Sequence, residues 1–178
     1  MSEIKESDLK VLFTEEQIQT AIKSLADRLN EEYADKELYL ICVLKGSVMF
    51  MVDLSKHLKM PVKMEFIRLS SYGSSMVSSG KVNAVDISLP DINGKDVLIV
   101  EDIIDTGHTA KFLIDFINSN FHVASLKFCS LLDKRVKRVV YVEADYYCFD
   151  VADKFLVGYG LDLDGRFRNL PYIGYIDG

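Results

Sequence analysis

The sequence predicts an α/β fold, a central parallel sheet with helices packed against it. Two observations carry the prediction. Continuous apolar runs of strand length, at 38–44 and 97–100, have the pattern of strands covered on both faces. Between them lie segments with a helical repeat of apolar residues, and strands alternating with helices imply parallel pairing through right-handed crossovers.

The elements follow in order. A helix over 14–33 opens with Thr-Glu-Glu-Gln, in which Thr14 and Gln17 suit a reciprocal capping box. Ile18, Ala21, Ile22, Leu25, Ala26 and Leu29 then draw one apolar stripe. Residues 38–44, "LYLICVL", form a buried strand. Residues 47–58 return to a helical pattern with Val48, Met51, Val52 and Leu58 inward, and Pro61 closes the unit. The alternation over 62–69 predicts a strand with one wetter face. Residues 97–100 form the next buried strand, followed by a helix over 109–119 with Phe112, Leu113, Phe116 and Ile117 inward. Further strands are expected at 123–132, 139–142 and 155–157. The charged residues at the N-terminus, Glu3 and Lys10 among them, read as a solvated tail.

Composition narrows the class. A chain of 178 residues, 49% hydrophobic, suits one domain with a sizeable core. Its 21 basic and 27 acidic residues give a net charge of −6, which argues against a nucleic-acid partner. Cys42, Cys129 and Cys148 are odd in number, far apart and set in apolar runs, so they read as reduced core thiols. The polar start is no signal peptide, and no apolar run approaches the roughly 20 residues of a membrane helix. A cytoplasmic protein without a membrane partner is the expectation. Residues 70–84 hold six serines and two glycines in fifteen residues without periodicity. They read as a lid over the sheet's ligand edge, in preference to a linker, because the flanking pieces are too short for separate α/β domains.

The functional signal lies at 97–110, "VLIVEDIIDTGHTA". Ligands of parallel sheets bind at the carboxyl ends of the strands, and Glu101 and Asp102 are placed there. One reading is a helix cap with an acidic first turn. Against it, two carboxylates ~5 Å apart repel by about 3 kcal/mol at an effective dielectric near 20. A cation or a hydroxyl-rich ligand relieves that. Asp105, Thr106, Gly107, His108 and Thr109 supply successive backbone amides leading into a helix N-terminus, which suits a phosphate. A phosphorylated ribose satisfies both halves. "IIDTG" also matches the aspartic-protease signature, but those folds are all-β and this segment runs into a helix. Haloacid-dehalogenase phosphatases need acids two apart, whereas Asp102 and Asp105 are three apart.

The stretch resembles the phosphoribosyl-pyrophosphate (PRPP) motif of type I phosphoribosyltransferases. "LKGS" from Leu44, the pair Ser71 and Tyr72, "DKR" from Asp133 and "DKFLVGYGLDLDGRFRNLPYIG" from Asp153 are together similar to the hypoxanthine (hypoxanthine-guanine) phosphoribosyltransferases. The resemblance runs from about residue 10 to the C-terminus. It implies one domain, 1–178, of that fold. Residues 70–84 are then a mobile lid carrying Ser71 and Tyr72, and a small hood forms from about 150–178 with the N-terminal residues. The implied reaction is purine salvage: 5-phosphoribosyl passes from PRPP to N9 of a 6-oxopurine, giving IMP or GMP and pyrophosphate, with Mg2+.

Each role is carried over by resemblance. Glu101 and Asp102 take the ribose hydroxyls and, with Asp162, magnesium. Asp105 is the general base beside purine N7, and Thr106, Gly107, His108 and Thr109 hold the 5′-phosphate. Lys45 and Gly46 meet pyrophosphate after a cis Leu44–Lys45 peptide, and Arg168 clamps it. Lys134 donates to purine O6 as the second catalytic residue. Phe155 stacks on the ring, and Leu156 and Asp162 complete the purine site. The implied assembly is a homodimer or homotetramer.

Other readings stand beside these. Without the resemblance, Lys134 and Arg168 are solvated surface charges and Phe155 is a core residue. Asp162 and Asp164 resemble half a calcium loop without its distal Glu. His57 and His122 have no partners nearby in sequence. A nucleotide-sensing regulator of nucleic acid on the same fold would add a basic face, which a net charge of −6 does not suggest. An adenine transferase would set Lys134 against an amino group rather than a carbonyl. His108 fills the variable position of the phosphate loop, where relatives often carry Lys, Arg or Leu.

Overall fold

In a computed structural model, described over residues 4–71 and 82–176, the chain forms one large sheet, one small sheet and three α-helices, besides two short 3-10 turns. In chain order these are β1 (Lys10–Phe13), α1 (Glu15–Glu32), β2 (Leu38–Leu44), α2 (Val48–His57), β3 (Val62–Ser71) and β4 (Val82–Asp86). Then follow β5 (Asp96–Ile104), α3 (His108–Asn120), β6 (Ser125–Asp133), β7 (Tyr146–Asp150), β8 (Phe155–Val157) and β9 (Ile173–Ile176).

The large sheet has the order β4-β3-β2-β5-β6-β7. Five strands run parallel, and β4 alone pairs antiparallel, with β3. The apolar runs are explained by burial on both faces. Leu38, Leu40, Cys42, Leu98 and Val100 point into a core shared with α1 and α2. Tyr39, Ile41, Val43, Val97 and Ile99 point into a second core shared with Ala110, Leu113 and Ile117 of α3. The chain steps from β2 to β3 on one side and later returns to β5 on the other. The order therefore reverses between β2 and β5, the place where such sheets hold ligands. The expected capping box is present: Thr14 Oγ1 accepts from the Gln17 amide at 3.3 Å, and the Thr14 amide donates to Gln17 Oε1 at 2.9 Å.

Several expectations change. β5 runs to Ile104, so Glu101 and Asp102 lie within the strand rather than after it, and α3 starts at His108. Residues 139–142 are not a strand, because the Val139 and Val140 amides bond the Thr106 carbonyl at 2.9 and 3.0 Å instead of a ladder. The edge strand is Tyr146–Asp150. In α2 the buried residues are Phe50, Met51 and Leu54, while Val52 is exposed. Lys10 is no frayed tail, since it opens β1, which pairs with β9; β8 completes that three-stranded antiparallel sheet. Of the segment expected to be a lid, 70–71 and 82–84 belong to β3 and β4, whereas Tyr72 and the rest of 72–81 lie outside the described residues.

Candidate active site

The site is assembled at the carboxyl ends of β2, β5 and β6. After β2 the Leu44–Lys45 peptide is cis, and Lys45 is exposed. Ser47 is fully buried and donates to the Val43 carbonyl at 2.6 Å, which ties the turn to the strand that feeds it. Gly46 abuts the neighbouring strand: a Cβ there would lie 1.6 Å from Asp102 Oδ2. Only a residue without a side chain lets the β2 loop meet the β5 acids this closely.

Glu101 is buried, and burial, then the neighbouring Asp102 charge, raises its carboxyl well above the usual range. Asp102 is pushed up to about 6, chiefly by burial. The Ile103 amide, donating to Asp102 Oδ1 at 2.9 Å, and the positive Arg168 act the other way. Glu101, Asp102, Gly46, Thr109, Asp162 and Arg168 line one cavity of about 260 Å3. Arg168 pairs with Asp162 at 2.5 Å and donates to the Gly160 carbonyl.

Beyond β5 the backbone turns through Gly107, whose φ of 89° is left-handed, and enters α3. Asp105, Thr106, Gly107 and Thr109 line a smaller cavity of about 70 Å3 with Glu101. Its floor is the N-terminus of a 13-residue helix, where unpaired amides and the helix dipole favour an anion. His108 is the first residue of that helix and does not line this cavity.

A third cavity, of about 200 Å3, is lined by Asp102, Ile103, Asp105, Lys134, Lys154, Phe155, Leu156, Leu161 and Asp162. Lys134 is buried, donating to the Lys154 carbonyl at 3.0 Å and pairing with Asp153 at 3.3 Å. Phe155 is 50% exposed on the cavity wall. Asp105 Oδ1 is buried without a hydrogen-bond partner, a costly arrangement that a ligand donor relieves. The cavities share walls at Glu101, Asp102, Asp105, Thr109 and Asp162, so they form one elongated cleft.

A family model described as a phosphoribosyl transferase domain matches residues 10–164. The chain belongs to the phosphoribosyltransferase family. This phosphoribosyltransferase is 46% identical to the hypoxanthine-guanine phosphoribosyltransferase of Streptococcus thermophilus (strain CNRZ 1066) over 172 residues, 96% of this chain and 95% of the relative. It is 45% identical to the Bacillus subtilis (strain 168) enzyme of the same name over 167 residues, 94% and 92% of the two chains. A crystal structure of a hypoxanthine phosphoribosyltransferase from Staphylococcus aureus superposes with a TM-score of 0.91 at 41% identity, covering 99% and 96%.

The phosphoribosyltransferase thus gathers most of the residues singled out in the sequence. Lys134 and Phe155 reverse the readings made without the resemblance, one being buried and the other exposed. Ser71 closes β3, and only its strand pairing, with Val82, is described. His57 and His122 stay apart from the cleft. Sequence reasoning missed Arg138, whose side chain meets that of Asp133 and the Asp105 carbonyl. The four basic residues that follow one acid in "DKRVKR" were the available signal, but they do not tell which charge turns inward. Among the described residues, no group of three or more His, Cys, Asp or Glu side chains converges closely enough to hold a metal ion alone. The oxygen donors of Glu101, Asp102 and Asp162 around one cavity nevertheless fit magnesium, which takes one or two carboxylates and completes its shell with water and substrate phosphates.

Proposed function

We propose that the chain is a purine-salvage enzyme. It transfers the 5-phosphoribosyl group of PRPP to N9 of a 6-oxopurine, hypoxanthine or guanine, and releases pyrophosphate with IMP or GMP. The observation that carries this reading is the partnerless buried Asp105 Oδ1, in a cavity shared with buried Lys134 and exposed Phe155. A purine that loses its N7 proton while negative charge gathers on the adjacent C6 carbonyl, both on one edge of the base, matches that pair.

In this reading Asp105 accepts the purine N7 proton as the N9–C1′ bond forms and the C1′–oxygen bond to pyrophosphate breaks. Lys134 donates to O6, where negative charge grows. Phe155 stacks on the ring, and Leu156 and Asp162 line its edge. Glu101 and Asp102 accept from the ribose 2′- and 3′-hydroxyls. Thr106, Gly107, His108 and Thr109 surround the 5′-phosphate, with His108 contributing least because it does not line the small cavity. Lys45, Gly46 and Arg168 hold pyrophosphate, for which Arg168 exchanges its Asp162 partner. Magnesium, held by one or two of the carboxylates of Glu101, Asp102 and Asp162 together with substrate phosphates, would supply positive charge for the departing pyrophosphate.

We further infer a homodimer or homotetramer. Met49 and Val52 of α2 and Met64 and Phe66 of β3 are 39–47% exposed, the kind of apolar surface that a second copy covers. The cell compartment in this reading is the cytoplasm, which suits three unpaired cysteines. Among the described residues no helix is long and apolar enough to cross a membrane.

The test is direct. The protein is incubated with PRPP, magnesium and each of hypoxanthine, guanine, xanthine and adenine, and nucleotide is measured. Formation of IMP and GMP without AMP is expected; no turnover with any oxopurine overturns the assignment.

A further inference from the structure

We propose that Arg138 is a positioning residue that orients the peptide planes of the phosphate loop. The inference rests on the reading of residues 106–109 as the 5′-phosphate site. The Arg138 side chain is 13% exposed. Its Nε donates to the Asp105 carbonyl at 3.1 Å and its Nη2 reaches the Ile104 carbonyl at 3.5 Å. Nη1 donates to the Val142 carbonyl, and Nη2 pairs with Asp133 Oδ1. Asp133, 2% exposed, is the last residue of β6 and directly precedes Lys134. The Lys134 amide in turn donates to the Ile104 carbonyl at 2.9 Å.

A trans peptide is planar, and its C=O and N–H point in opposite directions. Anchoring the Asp105 carbonyl on Arg138 therefore turns the Thr106 N–H away from the guanidinium. The next plane is set the same way. The Val139 and Val140 amides both hold the Thr106 carbonyl, so the Gly107 N–H faces away from residues 139–140. The small cavity is lined by Thr106 and Gly107 and by none of residues 138–140, so it lies on the side these N–H groups face. Two consecutive amides are thereby aimed at one anion, with Arg138 behind them. The guanidinium also spans carbonyls of the β5 end and a carboxylate of the β6 end. It thus keeps the phosphate loop in register with Lys134. A lysine cannot replace it, since one ammonium does not reach acceptors spread around a planar fork.

The experiment measures calorimetric binding of IMP, inosine and inorganic pyrophosphate to the wild type, Thr109→Val, Arg138→Met and Arg138→Lys. Arg138→Met is expected to weaken IMP by about tenfold or more (about 1.4 kcal/mol) while inosine and pyrophosphate change less than about threefold, and Arg138→Lys to recover little. Unchanged IMP affinity, or equal losses for all three ligands, overturns the inference. If Arg138→Met does not fold, Asp133→Asn keeps the guanidinium but loosens it. A selective loss of IMP affinity there supports the role, and an unselective or absent one removes it. A wild type that does not prefer IMP to inosine, or a preference untouched by Thr109→Val, means that the loop reading itself has failed. If Thr109→Val lowers the preference and Arg138→Met does not, only the role of Arg138 falls.

Discussion

Gly107→Ala separates backbone strain from contact in the loop that leads into α3. At Gly107, φ is 89°, and a Cβ would lie 2.5 Å from the Val140 carbonyl oxygen and 2.9 Å from Arg138 Cδ. Gly94 provides the control: its φ is also positive, at 68°, but a Cβ there meets nothing within 4 Å. A left-handed alanine costs about 1–2 kcal/mol, and the stiffer unfolded chain returns about 0.4–1, so Gly94→Ala should cost about 1 kcal/mol net. At Gly107 the obstacle is backbone that cannot swing aside, which adds about 1–3 kcal/mol of overpacking and brings the total to about 2–4 kcal/mol. Urea unfolding of both variants measures the difference. Relief comes by pushing the loop off residues 138–140, so Gly107→Ala should also weaken IMP by more than about tenfold, while Gly94→Ala leaves binding and turnover unchanged. Equal stability losses in the two variants, or an unaltered IMP affinity in Gly107→Ala, would refute the reasoning.

Three further outcomes are expected. Asp105→Asn should lower turnover far more than it weakens PRPP binding, and comparable damage to both parameters would remove its role as general base. His108→Leu should change PRPP affinity by less than about tenfold, because the backbone donors carry the binding; a larger loss in a KM measurement counts against that. Asp102 is raised to about 6, so from about pH 4 to about pH 6 the folded chain binds more protons than the unfolded one, and stability falls as pH rises. In metal-free buffer Asp102→Asn should gain on the wild type through that window and then hold level, by up to about 3 kcal/mol; a pH-independent gap rejects the assignment.

The periodicities of α1 and β2 made those elements legible because one physical pattern controlled each: a single apolar stripe after a capping box, and burial on both faces. Residues 139–142 misled for the opposite reason. A valine pair has strand propensity, but its amides found the Thr106 carbonyl, a long-range partner that local pattern does not contain. The strands β1 and β9 were illegible because each is only four residues long and they pair across nearly the whole chain. In the site, Glu101, Asp102 and the loop after them announced themselves by improbable charge density at a strand end. Lys134 and Phe155 did not, since a buried lysine and an exposed phenylalanine contradict what each residue type usually does. Arg138 was hidden among three neighbouring cations, Lys134, Arg135 and Lys137. Arg135 also pairs with Asp133, and what sets Arg138 apart is its partial burial and its contact with the Asp105 carbonyl.

Strand β5 has a consequence for mutational tolerance. Val97 and Ile99 belong to one core and Leu98 and Val100 to the other, each with no exposed surface. The approach to the acids therefore contains no neutral position. In a saturation scan, residues 97–100 should accept only near-isosteric replacements, while the outer face of α3, at Lys111, Asp115 and Asn118, accepts most. The segment that delivers the acids is thus the one least free to drift, and variation in this enzyme has its room on the helices around it.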